Sequence, residues 1–154
     1  MTTSSASIDD RGWRAHLIDD ASGIRDLLLR TRRIAVLGIK TAESNQPAYT
    51  VPLYAQRAGY EIVPVPVYYP EVVEILDQPV VRTVEKAAPV DMVNVFRRPK
   101  DIPAHVDDIL LAKPASVWLQ LGIRNDEAAE QFARAGIDVV QDRCLLVELR
   151  RIGK

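Results

Sequence analysis

The side chains best suited to bind an anion are concentrated in residues 38–50, between an apolar run and a helical pattern. Those able to hydrogen-bond a phosphate are Lys40, Thr41, Ser44, Tyr49 and Thr50. A loop that leads into a helix N-terminus presents unpaired N–H groups at the positive end of the helix dipole. The segment has one glycine, Gly38, so it matches neither the dinucleotide fingerprint nor the P-loop. It is interpreted as a phosphate-holding loop or as an ordinary solvated loop with a helix cap.

Three further segments follow apolar runs. Arg97 and Arg98 come directly after residues 90–96, and such arginines either bind phosphate through bidentate hydrogen bonds or face solvent. Prolines and valines in residues 64–70 form a stiff apolar surface, which suits a flat ring such as adenine or is a structural turn with two exposed tyrosines. Residues 121–125 contain a glycine turn that leads into another helix, with Asn125 as the expected cap.

The residue types that usually perform catalysis or bind metals are few and scattered. The two histidines, His16 and His105, have no partners at metal-ligand spacing. Cys144 follows an arginine, which can lower the pKa of a thiol, but neither a base nor an oxyanion-binding site is visible beside it. We therefore expect no metal site, no catalytic residues and no enzymatic activity. The alternative is a transferase that uses Cys144 or a bound thiol.

Buried strands and amphipathic helices alternate along the chain at a spacing of roughly 25–30 residues. Strands are predicted over 33–38, 61–65, 90–96, 116–120 and 138–141, and helices over 13–30, 48–58, 102–112 and 125–135. Residues 72–76 are predicted as a helix or turn, 80–81 as extended, and 144–151 as a helix or strand. This order predicts a doubly wound α/β fold of Rossmann type, with about five mainly parallel strands and helices on both faces.

Length and composition predict one domain over 13–154, preceded by a flexible tail over 1–12. The chain has 154 residues, with a hydrophobic fraction of 47% and a charged fraction of 27%, as in ordinary globular proteins. The net charge of −1 argues against a nucleic-acid-binding surface. No apolar run approaches the roughly 20 residues that span a bilayer, and the single cysteine fits a reducing compartment. We expect a cytoplasmic protein without a membrane or nucleic-acid partner.

Six short sequence segments, spread over most of the chain, follow one another in the order described below. They are Ile34-Ala-Val-Leu-Gly38, Gln46-Pro-Ala-Tyr49, Gly59-Tyr-Glu-Ile-Val-Pro-Val65, Val90-Asp-Met-Val-Asn-Val-Phe-Arg97, Val117-Trp-Leu-Gln-Leu-Gly122 and Gly136-Ile-Asp-Val-Val-Gln-Asp-Arg-Cys144. With these strings the chain from Arg33 to Arg151 resembles the small stand-alone CoA-binding proteins, which are relatives of the CoA-binding domain of the succinyl-CoA synthetase α subunit. The resemblance implies a Rossmann-like fold in which coenzyme A lies across the strand ends.

The resemblance also implies a set of ligand-binding positions. These are Gly38, Ile39, Lys40, Thr41, Gln46, Pro47, Tyr49 and Thr50 for the phosphates, Val63, Pro64, Val65 and Pro66 for the adenine, Phe96, Arg97 and Arg98 for the diphosphate or pantetheine arm, and Gln120 and Gly122 for the thiol end. Relatives usually carry an asparagine where this chain has Pro66. The proline in its place removes a polar side chain and a backbone N–H donor. The phosphorylated histidine of the synthetase lies in a domain that this chain lacks, so synthetase activity is not implied.

The function expected from residues and resemblance together is non-catalytic binding of coenzyme A or an acyl-CoA. Two alternatives stay open: a regulatory or interaction domain with a degenerate nucleotide pocket, and a CoA-dependent transferase. The expected partner is a small nucleotide ligand. A homodimer formed through the N-terminal helix, or an unidentified protein partner, is compatible with the sequence.

Overall fold

The computed structural model describes residues 12–154. The predicted flexible tail over 1–12 lies almost wholly outside the described residues. Within them, no helix has the length and apolar character needed to cross a membrane.

Five parallel strands form the central sheet, as the sequence predicted. They are β1 (Arg33–Leu37), β2 (Glu61–Val65), β5 (Met92–Val95), β6 (Ser116–Leu119) and β7 (Asp138–Val140). The spatial order is β2-β1-β5-β6-β7, and every neighbouring pair is parallel. The order reverses between β1 and β5, because the chain first adds β2 on one side of β1 and then returns to the other side. In such sheets the crevice outside this reversal point, at the carboxyl ends of the strands, is where ligands bind.

Helices cover both faces of the sheet, so strand side chains are buried on both pleats. One face packs against α1 (Ala21–Arg30), α2 (Pro47–Arg57) and α6 (Leu145–Arg151). The other packs against α3 (Val84–Ala87), α4 (Val106–Ala112) and α5 (Asp126–Arg134). Successive residues of β1 alternate between the two cores, with Ile34 in the first and Ala35 in the second. Trp118 is fully buried on the first face.

The predicted helix over 13–30 is wrong in its first half. A 3₁₀ turn covers Trp13–His16, and α1 begins at Ala21 after Asp20, whose carboxylate accepts a hydrogen bond from the Gly23 N–H. Between them the chain is extended along the outer edge of β7, where the Ile18 N–H donates to the Val139 carbonyl at 2.9 Å. Pairing with a strand near the other end of the chain has no signal in the local pattern.

The segment between β2 and β5 also differs from the prediction. Residues 72–76 form no helix; instead β3 (Glu74–Ile75) and β4 (Gln78–Pro79) make a short antiparallel hairpin. The next residues cover the outer edge of β2, where the Val81 N–H donates to the Pro64 carbonyl at 3.0 Å. The helix α3, capped by the Thr83 hydroxyl, was not predicted because four residues are too few to show a period.

The other helices begin and end close to their predicted bounds, and one predicted helix consists of two parts. The predicted helix over 102–112 consists of a 3₁₀ helix, Pro99–His105, followed by α4. Pro103 within the first part lacks an N–H and so favours the interruption. The C-terminal segment is helical over α6.

Candidate functional site

The loops after β1 and β5 meet at the point where strand order reverses, and Gly38 permits their contact. Gly38 has a φ of +87°, and a Cβ at this position would lie 2.3 Å from the Phe96 carbonyl oxygen. Its N–H donates to the Val65 carbonyl at 2.9 Å, while the Phe96 N–H donates to the Leu37 carbonyl at 2.9 Å. The carboxyl ends of β2, β1 and β5 are therefore joined at two adjacent residues, Leu37 and Gly38.

The loop from Gly38 to α2 is folded on itself. The Lys40 N–H donates to the Ala48 carbonyl at 3.1 Å, and the Lys40 ammonium donates to the Gln46 side-chain oxygen at 2.6 Å. The Ser44 hydroxyl donates to the Thr41 carbonyl at 2.8 Å. These bonds bring Lys40 to the N-terminal end of α2.

The N-terminus of α2 offers fewer unpaired donors than the sequence suggested. Its first residue, Pro47, has no N–H. The amides of Tyr49 and Thr50 both donate to the Gln46 carbonyl, at 2.8 and 2.9 Å. Positive charge beside the loop after β1 thus comes chiefly from Lys40 and the helix dipole. Ile39 is buried in the core, whereas Tyr49 and Thr50 are half-buried at the loop.

Arg97 and Arg98 have different environments. The Arg97 side chain is 16% exposed, and its Cδ lies 3.3 Å from where a Cβ on Gly38 would be. Arg98 is 69% exposed, and its Nε–H donates to Asp101 at 2.9 Å. That hydrogen bond, aided by nearby positive charges, lowers the pKa of Asp101. Arg97 therefore adjoins the reversal point, while Arg98 lies toward solvent.

Two residues outside the predicted set shape the same edge. Tyr68, which is 59% exposed, has its ring centroid 5.9 Å from the Arg97 guanidinium carbon. The guanidinium of Arg82 donates to the carbonyls of Tyr68, Tyr69, Pro70 and Val72, at 2.7–3.3 Å. Arg82 thus fixes the loop after β2 and, with it, the position of Tyr68. The tyrosine was visible in the sequence, but the arginine gave no local signal of its role.

The predicted adenine-lining residues are mostly core residues. Val63 and Val65 pack against the α3–α4–α5 face, and Pro64 and Pro66 are buried. Their side chains therefore serve the core, and the exposed part of this segment begins at Val67. Beside it, a cavity of about 270 Å³ separates the loop after β1 from the hairpin; it is lined by Thr41, Ala42, Glu43, Tyr49, Val72, Glu74, Ile75 and Leu76.

Gln120 and Gly122 lie after β6, on the other side of β5. The Gln120 side-chain oxygen accepts hydrogen bonds from the Asn94 amide and the Leu145 N–H, both at 3.3 Å. Asn94 is fully buried, and its own side-chain oxygen has no hydrogen-bond partner. Gly122 is exposed and its N–H donates to Asp142 at 2.7 Å. Of the two predicted residues, Gly122 is at the surface, while Gln120 is committed to a buried polar pair.

The remaining reactive side chains are spread over the molecule. His16 is hydrogen-bonded to Asp138 at the amino end of β7, whereas His105 accepts a hydrogen bond from Arg97. Cys144 is a free, half-buried thiol immediately before α6. Over residues 12–154, no three histidine, cysteine or acidic side chains are grouped so as to hold a metal ion.

Comparison with known proteins relates this architecture to one family. A sequence profile described as CoA binding domain matches residues 32–150. A protein from Bacillus subtilis, named "Uncharacterized protein YneT", is 34% identical over 125 residues, which cover 80% of this chain and 90% of that protein. Its name assigns no activity.

Solved structures show the same fold. A Thermus thermophilus structure, "cell-free ID.343", has 36% identity and a TM-score of 0.79, covering 87% of this chain and 99% of that one. A hypothetical protein from Pyrococcus horikoshii has 27% identity and a TM-score of 0.77, covering 87% and 92%. Because the profile spans most of the sequence and the structural likeness spans nearly all of these relatives, the chain belongs to the CoA binding domain family.

Proposed function

We propose that this protein binds coenzyme A or an acyl-CoA at the carboxyl edge of its sheet and does not itself catalyse a reaction. The observation on which this depends is the convergence of Gly38, Arg97 and Tyr68 at the reversal point, in a chain whose family is described by CoA binding. A close backbone approach, a guanidinium and an exposed aromatic ring are groups suited to a diphosphate joined to a base.

The division of the ligand among the loops follows from their chemistry. Lys40 and Arg97 supply positive charge from the loops after β1 and β5, so the phosphates belong between them. Tyr68 supplies a flat face beside Arg97, and the apolar loop after β2 suits the adenine. The pantetheine arm then extends past Phe96 toward Gly122.

A non-catalytic role is supported by how the reactive side chains are used. The His105 ring accepts a hydrogen bond from Arg97, so its ring nitrogen at that position is engaged. Within residues 12–154, the contacts of Cys144 include no histidine or carboxylate hydrogen bond that would activate the thiol. A nucleophile without a base is a poor catalyst. A cytoplasmic location is part of the proposal, since a chain with one cysteine forms no internal disulfide.

A regulatory domain with a degenerate pocket is the second candidate, and Pro66 favours it. This residue is buried and has no N–H. The resemblance to CoA-binding proteins implies an asparagine at this position. Such a domain would retain the fold and bind a protein partner while its affinity for coenzyme A is low.

Isothermal titration calorimetry with coenzyme A separates the two candidates. We expect saturable binding by the wild type and a loss of about tenfold or more in Arg97→Ala, because a charged hydrogen-bonding group contributes about 1.5–3 kcal/mol. Arg57→Ala, an exposed arginine at the end of α2, is the matched control and should bind as the wild type does.

Absence of binding at millimolar coenzyme A contradicts the proposal and favours the regulatory candidate. Mass spectrometry of the gently purified protein adds an independent result, because a ligand that copurifies is identified by its mass.

A further inference from the structure

Arg97 is held from one side by His105. The Arg97 Nε–H donates to His105 Nε2 at 3.2 Å, and the imidazole belongs to the last residue of the 3₁₀ helix before α4. The carboxylate beside the terminal amino groups of Arg97 belongs to Asp101. Its Oδ2 atom is 3.8 Å from Nη2 of Arg97, which is too far for a hydrogen bond. Asp101 is instead hydrogen-bonded to Arg98. Of the five N–H donors of Arg97, those on the two terminal nitrogens are therefore the ones a ligand can use.

This arrangement requires a neutral imidazole. Nε2 accepts a hydrogen bond only when the ring proton is on Nδ1 and the ring is uncharged. Burial lowers the pKa of His105, and the positive charge of Arg97 lowers it further, while Asp108 and Asp101 oppose these effects. His105 is therefore neutral near pH 7 and acts as a hydrogen-bond acceptor.

We propose that His105 is a positioning residue for ligand binding, which holds the Nε edge of Arg97 so that its two terminal amino groups are free to bind the diphosphate of coenzyme A. This inference rests on the proposed function. A free arginine side chain loses conformational entropy when it is ordered. A guanidinium that is already oriented loses less of it on binding, so the affinity for phosphate rises without a new ligand contact.

A double-mutant cycle tests whether His105 acts through Arg97. Calorimetry with coenzyme A compares the wild type, His105→Leu, Arg97→Ala and the double variant. We expect His105→Leu to weaken binding about fivefold to tenfold, in line with the loss of one net hydrogen bond. In the Arg97→Ala background the same change should alter affinity less than about twofold, because the positioned group is absent.

Two further variants separate positioning from packing. His105→Gln retains an oxygen acceptor and should bind coenzyme A within about twofold of the wild type. His16→Leu removes the other histidine, at the opposite edge of the sheet, and should leave the affinity unchanged. If His105→Leu binds as tightly as the wild type, or if its loss persists in full without Arg97, the inference is overturned.

Determination of the His105 tautomer tests the inference on the wild-type protein alone, without ligand. A long-range ¹H–¹⁵N spectrum of the wild-type protein should show a proton on Nδ1 and a bare Nε2. A proton on Nε2 overturns the inference, whether or not coenzyme A binds. A wild type that has the expected tautomer but no measurable affinity for coenzyme A contradicts the proposed function instead.

Discussion

Gly38 shows how one residue fixes the geometry of a ligand-binding edge. Its positive φ is a conformation that glycine adopts readily and other residues adopt at a cost of about 1–2 kcal/mol. The additional requirement is space, since the Phe96 carbonyl occupies the place of a side chain. The loops after β1 and β5 can approach each other only because this position has no Cβ.

Replacement of Gly38 by alanine should therefore destabilise the fold more than conformation alone explains. We expect Gly38→Ala to lower the free energy of unfolding by about 1–3 kcal/mol more than Gly136→Ala does. Gly136 has a similar φ of +83° but open space around its missing side chain. Urea denaturation of both variants measures the difference. Equal losses would show that the contact with Phe96 is easily relaxed.

The candidate site was only partly predictable at the level of single residues. Lys40 could be found because a loop before a helix restricts where it lies. Arg97 and Arg98 could not be distinguished, since adjacent residues in an irregular segment have no period that assigns one to the groove. Burial separates them. The burial of Arg97 depends on Gly38, which is distant in sequence, and on His105, which the intervening 3₁₀ helix places beside it. The burial of Val63 and Val65 in the core could not be foreseen, because a strand end and a strand interior look alike in an apolar string.

At the scale of elements, the loop after β2 depends on an arginine outside it. The loop includes Tyr69, which has a φ of +62°, so its backbone is not relaxed. Four carbonyls of residues 68–72 accept hydrogen bonds from Arg82, whose side chain reaches them from beyond the hairpin. The rigidity of this loop is thus imposed by tertiary contacts rather than by its prolines alone.

Removal of Arg82 should loosen this loop without unfolding the domain. We expect chymotrypsin to cleave Arg82→Ala between Tyr68 and Tyr69 faster than the wild type, on the order of tenfold, because several hydrogen bonds that oppose local opening are lost. Arg57→Ala is again the matched control. Cleavage at the wild-type rate would mean that the hairpin, and not Arg82, orders the loop.

The regular elements could be predicted because their signals are local. Buried strands of the sheet are apolar on both pleats, and glycines mark several helix ends. The extended stretch at Leu17 and Ile18 was mistaken for helix, because its partner, Val139, lies at the far end of the chain. The hairpin β3–β4 was missed for a related reason: two-residue strands are defined by each other and not by a pattern.

At the scale of the whole molecule, acid stability should report on His105. Its pKa is lowered in the folded protein from the ordinary value of 6.5, first by burial and then by Arg97. Between the lowered value and 6.5 the unfolded chain binds a proton that the folded one does not, so stability falls as the pH decreases through this range. The pKa values of Asp20 and Asp101 lie below the ordinary 3.8. The stability that these carboxylates contribute is therefore lost only in stronger acid.

We therefore expect the Tm of the wild type to fall between about pH 7.5 and about pH 5.5 by more than that of His105→Gln, which has no group to titrate there. Thermal unfolding followed by circular dichroism measures both. The two proteins differ only at residue 105, so the difference between their Tm values reports on this position. If the Tm values of both proteins decrease in parallel, the lowered pKa of His105 does not contribute to stability in this pH range.

The two flanks of the sheet have a consequence for how copies of this protein can associate. Val81 is hydrogen-bonded to the outer side of β2, and Ile18 to the outer side of β7. Backbone groups that would otherwise recruit a strand from another molecule are thereby occupied. Growth of the sheet across molecules, a common route to ordered aggregates, is thereby disfavoured at both ends, which favours association through side chains on the helices and loops over association through strand pairing.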